Sequence, residues 1–544
     1  MKRIFYRSVQ MLGLVTGIVL LIASCKKDDI KVSGITLDKT TATVQVGATV
    51  NLSTFLIPGD ATNKDITWRS ASKTVATVAN GVVTGVALGN TTITAVSQSD
   101  TTFQATCAIT IIPSTGMTIV PVSGEITANT TWTANKIYTL SGFVYVRSPA
   151  VLTIEPGTLI KGVSNTKAAL MIERGAKIMA IGTVNQPIVF TSDKPKGQRA
   201  SGDWGGLVIL GKATTNKHDS GTGVGIAEGG IGSLYGGTDD EDNSGVLQYV
   251  RIEFPGIPLL ATANSEINGL TLYAVGRGTT IDHIQVSYSG DDSYEWFGGT
   301  VNCKYLVCIR GLDDEYDTDN GFRGNVQFLF GLRDPNVSDQ SGSNGYESDN
   351  DAEGDQLTPI TKPTFCNVTL LGPLTVSATL PANHLFKRAM HIRRSSQLST
   401  YNSVFVGWPN GLLLDGALGN TPTAAENNDL QIERCIMAGM TNNYEIATGT
   451  LATPYTLAQV TAYYTAASRG NSINTQAEVI GSSLISLTIP TLLPPAGSPA
   501  LSGASFTNTR LTNAFFTPVT FKGAFGTTNW TTGWCNFDPQ NTDY

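Results

Sequence analysis

The sequence is poor in histidine, in closely spaced cysteines and in clustered basic residues. Its 544 residues include four histidines and seven cysteines, and no two cysteines form a Cys-x-x-Cys pair. A structural zinc site is therefore not expected. The net charge is −7 and the isoelectric point is near 5.3. Nucleic-acid binding depends on clustered Lys and Arg that neutralise phosphates, so no nucleic-acid partner is expected.

Long apolar runs are also scarce, and the clearest one stands at the N-terminus. Lys2, Arg3 and Arg7 precede an apolar run over residues 11–23, which is the pattern of a secretory signal peptide. The run is shorter than the roughly 20 apolar residues of a membrane-spanning helix. It ends in Ile-Ala-Ser-Cys, which resembles the lipobox of bacterial lipoproteins and implies that Cys25 is lipidated. The alternative is an uncleaved anchor with a chance cysteine.

These features predict a lipid-anchored protein. A signal peptide over residues 1–24 is followed by a tether over residues 25–33. The Lys-Lys-Asp-Asp that follows Cys25 resembles the export tag of some Gram-negative lipoproteins. We therefore predict an outer-membrane lipoprotein exposed at the cell surface, with its acyl chains as the only membrane anchor.

The balance of residue types predicts an all-β protein. Charged residues make up 15% of the chain and hydrophobic residues 41%, which is typical of folded, core-forming domains. With 57 glycines and abundant Thr, Ser and Asn, short strands and frequent turns are favoured over long helices. The length predicts two or three domains.

The first domain is predicted over residues 34–113. Short apolar runs alternate with turn signals such as Pro58-Gly59-Asp60, a spacing typical of a β-sandwich. The stretches ITLDKTTATVQVGATVNL and ITWRSASKTVATVANGVVTGVALGNTTITA closely resemble the group 2 bacterial immunoglobulin-like domain. That resemblance implies a spacer or adhesive module with Trp68 as its core aromatic residue and with no catalytic residues.

Residues 114–440 are predicted to form a parallel β-helix. From about Thr139, short apolar runs flanked by Gly, Asn or Asp recur every 18 to 25 residues, among them VLTIEPGTLIKG, GGLVILGKA and NVQFLFG. This period predicts stacked rungs with inward Val, Ile and Leu. Insertions at residues 212–245 and 332–361 break the period, and such loops tend to gather on one face of a solenoid.

A family resemblance extends this prediction. VLTIEPGTLIKG, GDWGGLVILGKA, SYEWFGGTVN and PAGSPALSGASF resemble an uncharacterised family of bacterial surface proteins over roughly residues 120–544. Members of that family look like right-handed parallel β-helices, and the resemblance implies no reaction.

The strand pattern fades after about residue 438. Residues 441–544 are predicted to extend and cap the solenoid, with a short helix at residues 456–467. An uncovered rung exposes unpaired backbone groups, so we expect Trp530, Trp534 and Phe537 to cover the open end.

Six cysteines remain beyond Cys25. We expect them to be buried as small apolar side chains. Cys303 and Cys308 have opposite parity, so in one straight strand they face opposite ways and cannot bridge.

Two acidic segments predict a calcium site. In GLDDEYDTDNG, residues 311–321, five carboxylates occupy seven positions. In an extended strand every second side chain points the same way, so these like charges must be compensated, and calcium prefers six to eight oxygen ligands. The predicted ligands are Asp313, Glu315, Asp317, Asp319, Asp349, Asp351, Glu353 and Asp355. No EF-hand or glycine-rich nonapeptide repeat is present, and solvated, edge-protecting loops are the alternative.

A ligand-binding surface is predicted beside these acids, because aromatic rings next to carboxylates suit sugar recognition. Its predicted residues are Asp291, Asp292, Tyr294, Trp296 and Arg323. Two glycines follow Trp296 and Phe297, so an aromatic packed over a tight corner is the alternative for Trp296. The basic stretch HLFKRAMHIRR, residues 384–394, is expected to pair with the acidic loops or to contact an anionic ligand.

We predict a cell-surface scaffold that binds a glycan, a surface polymer or a protein, with calcium ordering its loops. A calcium-dependent polysaccharide lyase or glycoside hydrolase is the first alternative. Its candidate residues are Asp291, Asp292, Asp313 and Asp314 with Arg310 or Arg323. No catalytic motif of those enzymes and no Gly-x-Ser-x-Gly elbow occurs, so no catalytic residue is predicted. A protein that captures ligand for an outer-membrane transporter is the second alternative.

Overall fold

The computed structural model describes residues 29–113, 116–228, 231–258 and 266–544. Cys25 and the predicted signal peptide lie outside the described residues. An immunoglobulin-like sandwich is followed by a parallel β-helix, which confirms the predicted fold class. Of the helices in the described ranges, none is long and apolar enough to cross a membrane.

The sandwich has nine strands. They are β1 (Gly34–Leu37), β2 (Thr41–Gln45), β3 (Thr49–Asn51), β4 (Thr54–Ile57), β5 (Ile66–Ser70), β6 (Ala76–Ala79), β7 (Val82–Gly85), β8 (Gly89–Ser97) and β9 (Gln104–Ile112). One sheet has the order β2-β9-β8-β5, another has the order β3-β7-β6, and β1 pairs with β4. Alternating apolar residues, including Val44, Ile93 and Ile109, form the core, and Trp68 packs against it partly buried.

The solenoid and its insertions contain the remaining strands. The first of these are β10 (Thr118–Ile126), β11 (Thr130–Trp132), β12 (Lys136–Val146), β13 (Val151–Ile154), β14 (Leu159–Gly162), β15 (Ala169–Ile172), β16 (Lys177–Ile181), β17 (Ile188–Ser192), β18 (Gly206–Leu210), β19 (Val224–Ile226), β20 (Leu234–Gly236), β21 (Gly245–Glu253), β22 (Ile257–Pro258), β23 (Glu266–Ile267) and β24 (Leu270–Tyr273). The rest are β25 (Thr280–Ser287), β26 (Tyr294–Phe297), β27 (Asn302–Ile309), β28 (Tyr316–Asp319), β29 (Asn325–Leu332), β30 (Tyr346–Ser348), β31 (Thr364–Leu371), β32 (Arg388–Ile392), β33 (Ser399–Tyr401), β34 (Val404–Val406), β35 (Asn410–Leu414), β36 (Ile432–Glu433), β37 (Ile436–Ala438), β38 (Asn442–Tyr444) and β39 (Ser472–Asn474). The α-helices are α1 (Thr421–Glu426), α2 (Leu457–Thr465) and α3 (Gln476–Ile480).

Parallel pairing stacks the solenoid strands on three faces. Face one contains β11, β13, β16, β33, β36 and the first halves of β21, β25, β27, β29 and β31. Face two contains the second halves of those long strands with β14, β17, β34, β37, β39 and the first halves of β10 and β12. Face three contains β15, β18, β24, β26, β28, β30, β32, β35, β38 and the second halves of β10 and β12. Inward aliphatic and aromatic side chains from all three faces form one continuous core.

In the rungs built on the long strands β21, β25, β27 and β29, a single residue with positive φ turns the chain from face one to face two. Tyr249, His283, Tyr305 and Phe328 occupy this corner in successive rungs, although this backbone region is unfavourable for bulky residues. Their rings stack at centroid distances of 4.4, 4.3 and 5.0 Å, which offsets that cost.

The same corner changes the expected geometry of two cysteines. Tyr305 turns the chain between Cys303 and Cys308, so both side chains enter the core instead of facing opposite ways. The parity argument required one straight strand and is corrected here. All six described cysteines are unbridged, and Cys535 alone among them is not fully buried.

The outer surface of face two is apolar and is covered by the C-terminal tail. Outward side chains such as Val307, Phe330 and Leu371 pack against Ile485, Phe525 and other tail residues. Parallel strands with apolar residues on both sides need such a cover.

Buried amide side chains hold the backbone of this tail. Gln285 Nε2 donates to the Asn536 carbonyl at 2.7 Å, and Asn536 N donates to Gln285 Oε1 at 2.8 Å. Gln327 makes the same pair of bonds with Thr517, both at 2.8 Å. Asn402 makes the pair with Ser505, both at 2.9 Å. The tail is therefore bound at several rungs.

The last rungs are covered by α2, which confirms the predicted helix. Thr456 caps its N-terminus in a capping box with Gln459, and Val460, Tyr463 and Tyr464 enter the core. By contrast, Trp530 and Trp534 lie along the side of the solenoid, against the ring stack at the corner. The expected position of the C-terminal aromatics at the open end is corrected, because these residues pack on the apolar outer side of face two.

The sandwich contacts the first rungs and the end of the tail. Leu88 packs with Leu159, Val189 and Tyr544, and Asn90 N donates to the Asn185 carbonyl at 3.0 Å. A Cβ on Gly89, whose φ is +142°, would lie 2.0 Å from that carbonyl oxygen, so only glycine fits at this junction.

Gln327→Ala tests whether the amide contacts hold the tail. Three hydrogen bonds are lost, since Gln327 Nε2 also donates to Asn367 Oδ1 at 3.1 Å, and both backbone groups of Thr517 lose their partner, so we expect a loss of about 2–3 kcal/mol of stability. Thermal and urea unfolding would measure it. Gln198→Ala, at an exposed position, is the control, and equal stability of the two variants would contradict the prediction.

Candidate functional site

The outward side chains of face three form a row across successive rungs. The register pairs Thr271 with Glu295, Glu295 with Asp317, Asp317 with Glu347, and Glu347 with His391. Neighbouring parallel strands lie about 4.8 Å apart. The row therefore places three carboxylates from three rungs beside one another.

The turns that precede β26 and β28 bring further acids to this row. Carboxylate oxygens of Asp291, Asp292 and Asp313 lie within 4.8 Å of one another, and so do those of Asp292, Glu295 and Asp317. Asp292 belongs to both groups. Five carboxylates thus converge on one side of the solenoid.

Burial makes this convergence unfavourable for ionised carboxylates. Burial is the main cause that raises the pKa of Asp292, Glu295 and Asp317 well above the usual carboxyl range. Neighbouring carboxylates raise these pKa values further. Burial also raises the pKa of Asp313 to about 7. In the described part of the chain, no Arg, Lys or His forms an ion pair with these four residues or with Asp291. Arg333 offsets only part of the effect of burial on the pKa of Asp313, so most of the charge is left for a proton or a bound cation.

Among the residues that the structure describes, three buried oxygen atoms beside Glu295 have no hydrogen-bond partner. They are Asn268 Oδ1, Thr271 Oγ1 and Asp317 Oδ1. Asn268 Nδ2 donates to Glu295 Oε2, and Thr271 is the register partner of Glu295. An unpaired buried polar group costs about 1–3 kcal/mol. Oxygen donors of these kinds suit a hard cation such as calcium or magnesium.

The predicted calcium ligands do not all meet. Asp313 and Asp317 belong to the two carboxylate groups, and Asp319 lies two positions beyond Asp317 on the same side of β28 with a pKa raised by burial to about 7. Glu315 is fully buried and forms an ion pair of 3.2 Å with the fully buried Arg333. Glu315 is therefore corrected to a structural residue.

The second acidic segment is also not a ligand set. β30 ends at Ser348, so the alternation of strand faces stops there. Asp349 pairs with Arg393 and Arg394, both at 2.7 Å. Asp351 Oδ1 accepts hydrogen bonds from the backbone of the next turn at 2.9 and 3.1 Å. The donors of those bonds are Glu353 N and Asp355 N. Among the described residues, none of the four acids joins a carboxylate group that could hold a metal ion, so all four predicted ligands of this segment are corrected.

Some of the predicted ligand-binding residues lie in the carboxylate groups, and others do not. Asp291 and Asp292 join the carboxylate groups. Tyr294 and Trp296 point into the core, because they flank the outward Glu295 on one strand. Arg323 pairs with Asp240 at 2.9 Å and is absent from the ion pairs of face three. The aromatic predictions are corrected, and the role of Arg323 stays a prediction.

The basic stretch compensates the acids of the later rungs, as expected. His391 Nδ1 lies 3.0 Å from Glu347 and its Nε2 lies 3.1 Å from Asp415. Arg393 contacts Glu347 at 2.7 Å. Burial raises the pKa of Glu347, but Arg393 and His391 outweigh burial and lower it to about 2. The predicted pairing is confirmed, and compensation by cationic side chains begins at Glu347.

Sequence reasoning did not select Glu295, Asn268 or Thr271. A signal for Glu295 exists, because each of three rungs carries an inward tyrosine followed by an outward acid. The pairs are Tyr294-Glu295, Tyr316-Asp317 and Tyr346-Glu347. Asn268 and Thr271 have no comparable signal, since both are ordinary polar residues near a short strand.

Two family patterns match the chain. Residues 124–483 match a family described as a pectate-lyase like beta helix domain, and residues 31–109 match the bacterial Ig-like domain (group 2). An uncharacterized protein of Clostridium acetobutylicum is 33% identical over 85 residues, which is 15% of this chain and 9% of that protein. The chain therefore matches only a small part of that relative.

The raised carboxyl pKa values predict how stability depends on pH. Asp313 and Asp319 have a folded-state pKa of about 7 against 3.8 for the free carboxyl. The folded chain holds these protons more tightly, so their contribution is present below about pH 4 and is lost as pH rises toward 7. We expect the melting temperature in chelator to fall by several degrees between about pH 5 and pH 8.

Calorimetry in chelator at several pH values measures this effect. The double variant Asp313→Asn with Asp319→Asn should show a flatter profile. Glu347, with a pKa of about 2, acts in the opposite direction and only in more acidic solution. A melting temperature that is constant or rises from pH 5 to pH 8 in the unmodified protein would refute the prediction.

Proposed function

Because the chain belongs to the pectate-lyase-like β-helix family, we propose that it is a cell-surface protein that binds an acidic polysaccharide through calcium. The observation that carries this proposal is the group of five carboxylates on face three, with which no Arg, Lys or His of the described residues forms an ion pair. The sandwich would act as the spacer that holds the β-helix away from the membrane, and Cys25 would carry the lipid anchor.

Calcium is part of this proposal because both the site and an acidic polysaccharide carry carboxylates. In their ionised form, Asp291, Asp292, Glu295, Asp313 and Asp317 repel a polymer that carries carboxylates of its own. Calcium accepts six to eight oxygen ligands, so an ion held by these side chains can also accept oxygen atoms from a sugar. Binding of an acidic polysaccharide would then require the cation and would fail in chelator.

A polysaccharide lyase is the second candidate, and the family description favours it. Such a reaction needs a base that removes a proton from carbon. Arg393 is a candidate for this role, since it contacts the acidic row at Glu347. Burial lowers its pKa, but the charges of Glu347 and Asp349 outweigh burial and raise it above the ordinary arginine value. Arg393 is therefore a poor base, which is why binding ranks above catalysis.

Incubation with a panel of acidic and neutral polysaccharides tests the proposal. We expect acidic polymers to be retained in calcium and released in chelator, and Asp292→Asn to weaken retention at least about tenfold, which corresponds to 1.4 kcal/mol. Glu241→Gln is the control, because Glu241 is an exposed acid paired with Arg277. Release of unsaturated oligosaccharides would support the lyase, and neither retention nor cleavage would refute both candidates.

Cell fractionation tests the proposed anchor. Cys25→Ser removes the thiol that would carry the acyl chains, so we expect the protein to move from the membrane fraction to the soluble fraction. Ser8→Ala keeps the rest of the predicted signal peptide and serves as the control. A Cys25→Ser protein that stays in the outer membrane would exclude lipidation of Cys25 as the anchor. An outer-membrane protein that copurifies with the chain would favour the alternative in which the chain captures ligand for a transporter.

A further inference from the structure

The five carboxylates of face three form two groups that share one residue. Asp291, Asp292 and Asp313 make one group, and Asp292, Glu295 and Asp317 make the other. Each group has all its selected oxygen atoms within 4.8 Å of one another. That spacing is compatible with one cation per group, since calcium–oxygen distances are about 2.3–2.6 Å.

We infer that Glu295 is the centre of a second cation site, adjacent to the first and joined to it by Asp292. Its ligands would be carboxylate oxygens of Asp292, Glu295 and Asp317, the amide oxygen of Asn268 and the hydroxyl oxygen of Thr271. The ion would be a hard divalent cation such as calcium, because all five donors are oxygen atoms. This inference rests on the proposed calcium-dependent function and adds a second ion to it.

The unpartnered oxygens support this second site independently of the acids. Asn268 is 3% exposed and Thr271 is 1% exposed. Asn268 Nδ2 donates to Glu295 Oε2, which places the amide group at that carboxylate and leaves Oδ1 without a donor. Thr271 Oγ1 and Asp317 Oδ1, on the two strands that flank Glu295, also lack a partner in the described part of the chain.

A single cation explains these three atoms together. A proton on one carboxyl group supplies one donor, which can satisfy only one of the acceptors. A divalent ion can coordinate several oxygen atoms at once and also offsets the repulsion between carboxylates.

Calcium titration of the full mature chain after chelation tests this inference. Calorimetry and elemental analysis of the dialysed protein should give two calcium ions per chain. Thr271→Val removes the hydroxyl with little change in volume, and with Asn268→Ala it should lower the number to one. Thr271→Ser keeps the hydroxyl oxygen and should retain two. Glu241→Gln, an exposed acid outside both groups, should also retain two.

The possible outcomes separate this inference from the proposed function. One calcium ion in the unmodified chain, with no response to the Asn268 and Thr271 variants, would overturn the second site and leave the proposed function intact. No bound calcium would overturn both. Glu295→Gln provides a further check if the double variant unfolds. It should also reduce the number from two to one, and retention of two ions would refute the central role of Glu295.

Discussion

Backbone hydrogen bonds between successive rungs hold the strands in parallel register, so equivalent residues lie directly above one another. The register stacks like residues on like. At one corner it stacks the rings of Tyr249, His283 and Tyr305, and this contact offsets a backbone conformation that is unfavourable for bulky residues. On face three it stacks Glu295 on Asp317, and like charges directly opposite each other are destabilising. The register therefore determines where the fold is stabilised and where it needs compensation.

The way in which the carboxylate charges are compensated changes along face three. In the later rungs, His391 and Arg393 pair with Glu347, whose pKa is lowered to about 2. In the earlier rungs, burial raises the pKa of Glu295 and Asp317, and no ion pair to them occurs among the described residues. The change from unpaired to paired carboxylates occurs between Asp317 and its register partner Glu347. A cation-dependent binding surface would thus lie next to a segment that the protein neutralises with its own side chains.

Several features of the fold could be predicted from the sequence because they depend on local spacing. The repeat of apolar runs predicted the stacked rungs, and the turn signals predicted the sandwich. The helix at α2 was predicted from the local stretch of residues 456–467. The path of the tail could not be predicted, because it depends on contacts such as those between Gln327 and Thr517, which are far apart in the chain. Its position on face two follows from the apolar outer surface that the register creates there.

Prediction of the candidate site reached the same limit. The sequence by itself determined that acids such as Asp313 and Asp317 are concentrated in a few segments and that the excess charge requires compensation. The tertiary structure alone decided which acids meet, since it paired Glu315 with the distant Arg333 and brought Asp292 to Glu295. The physical reason is that charge density is a property of the local sequence. The partner that neutralises each charge depends on which rungs the register places side by side.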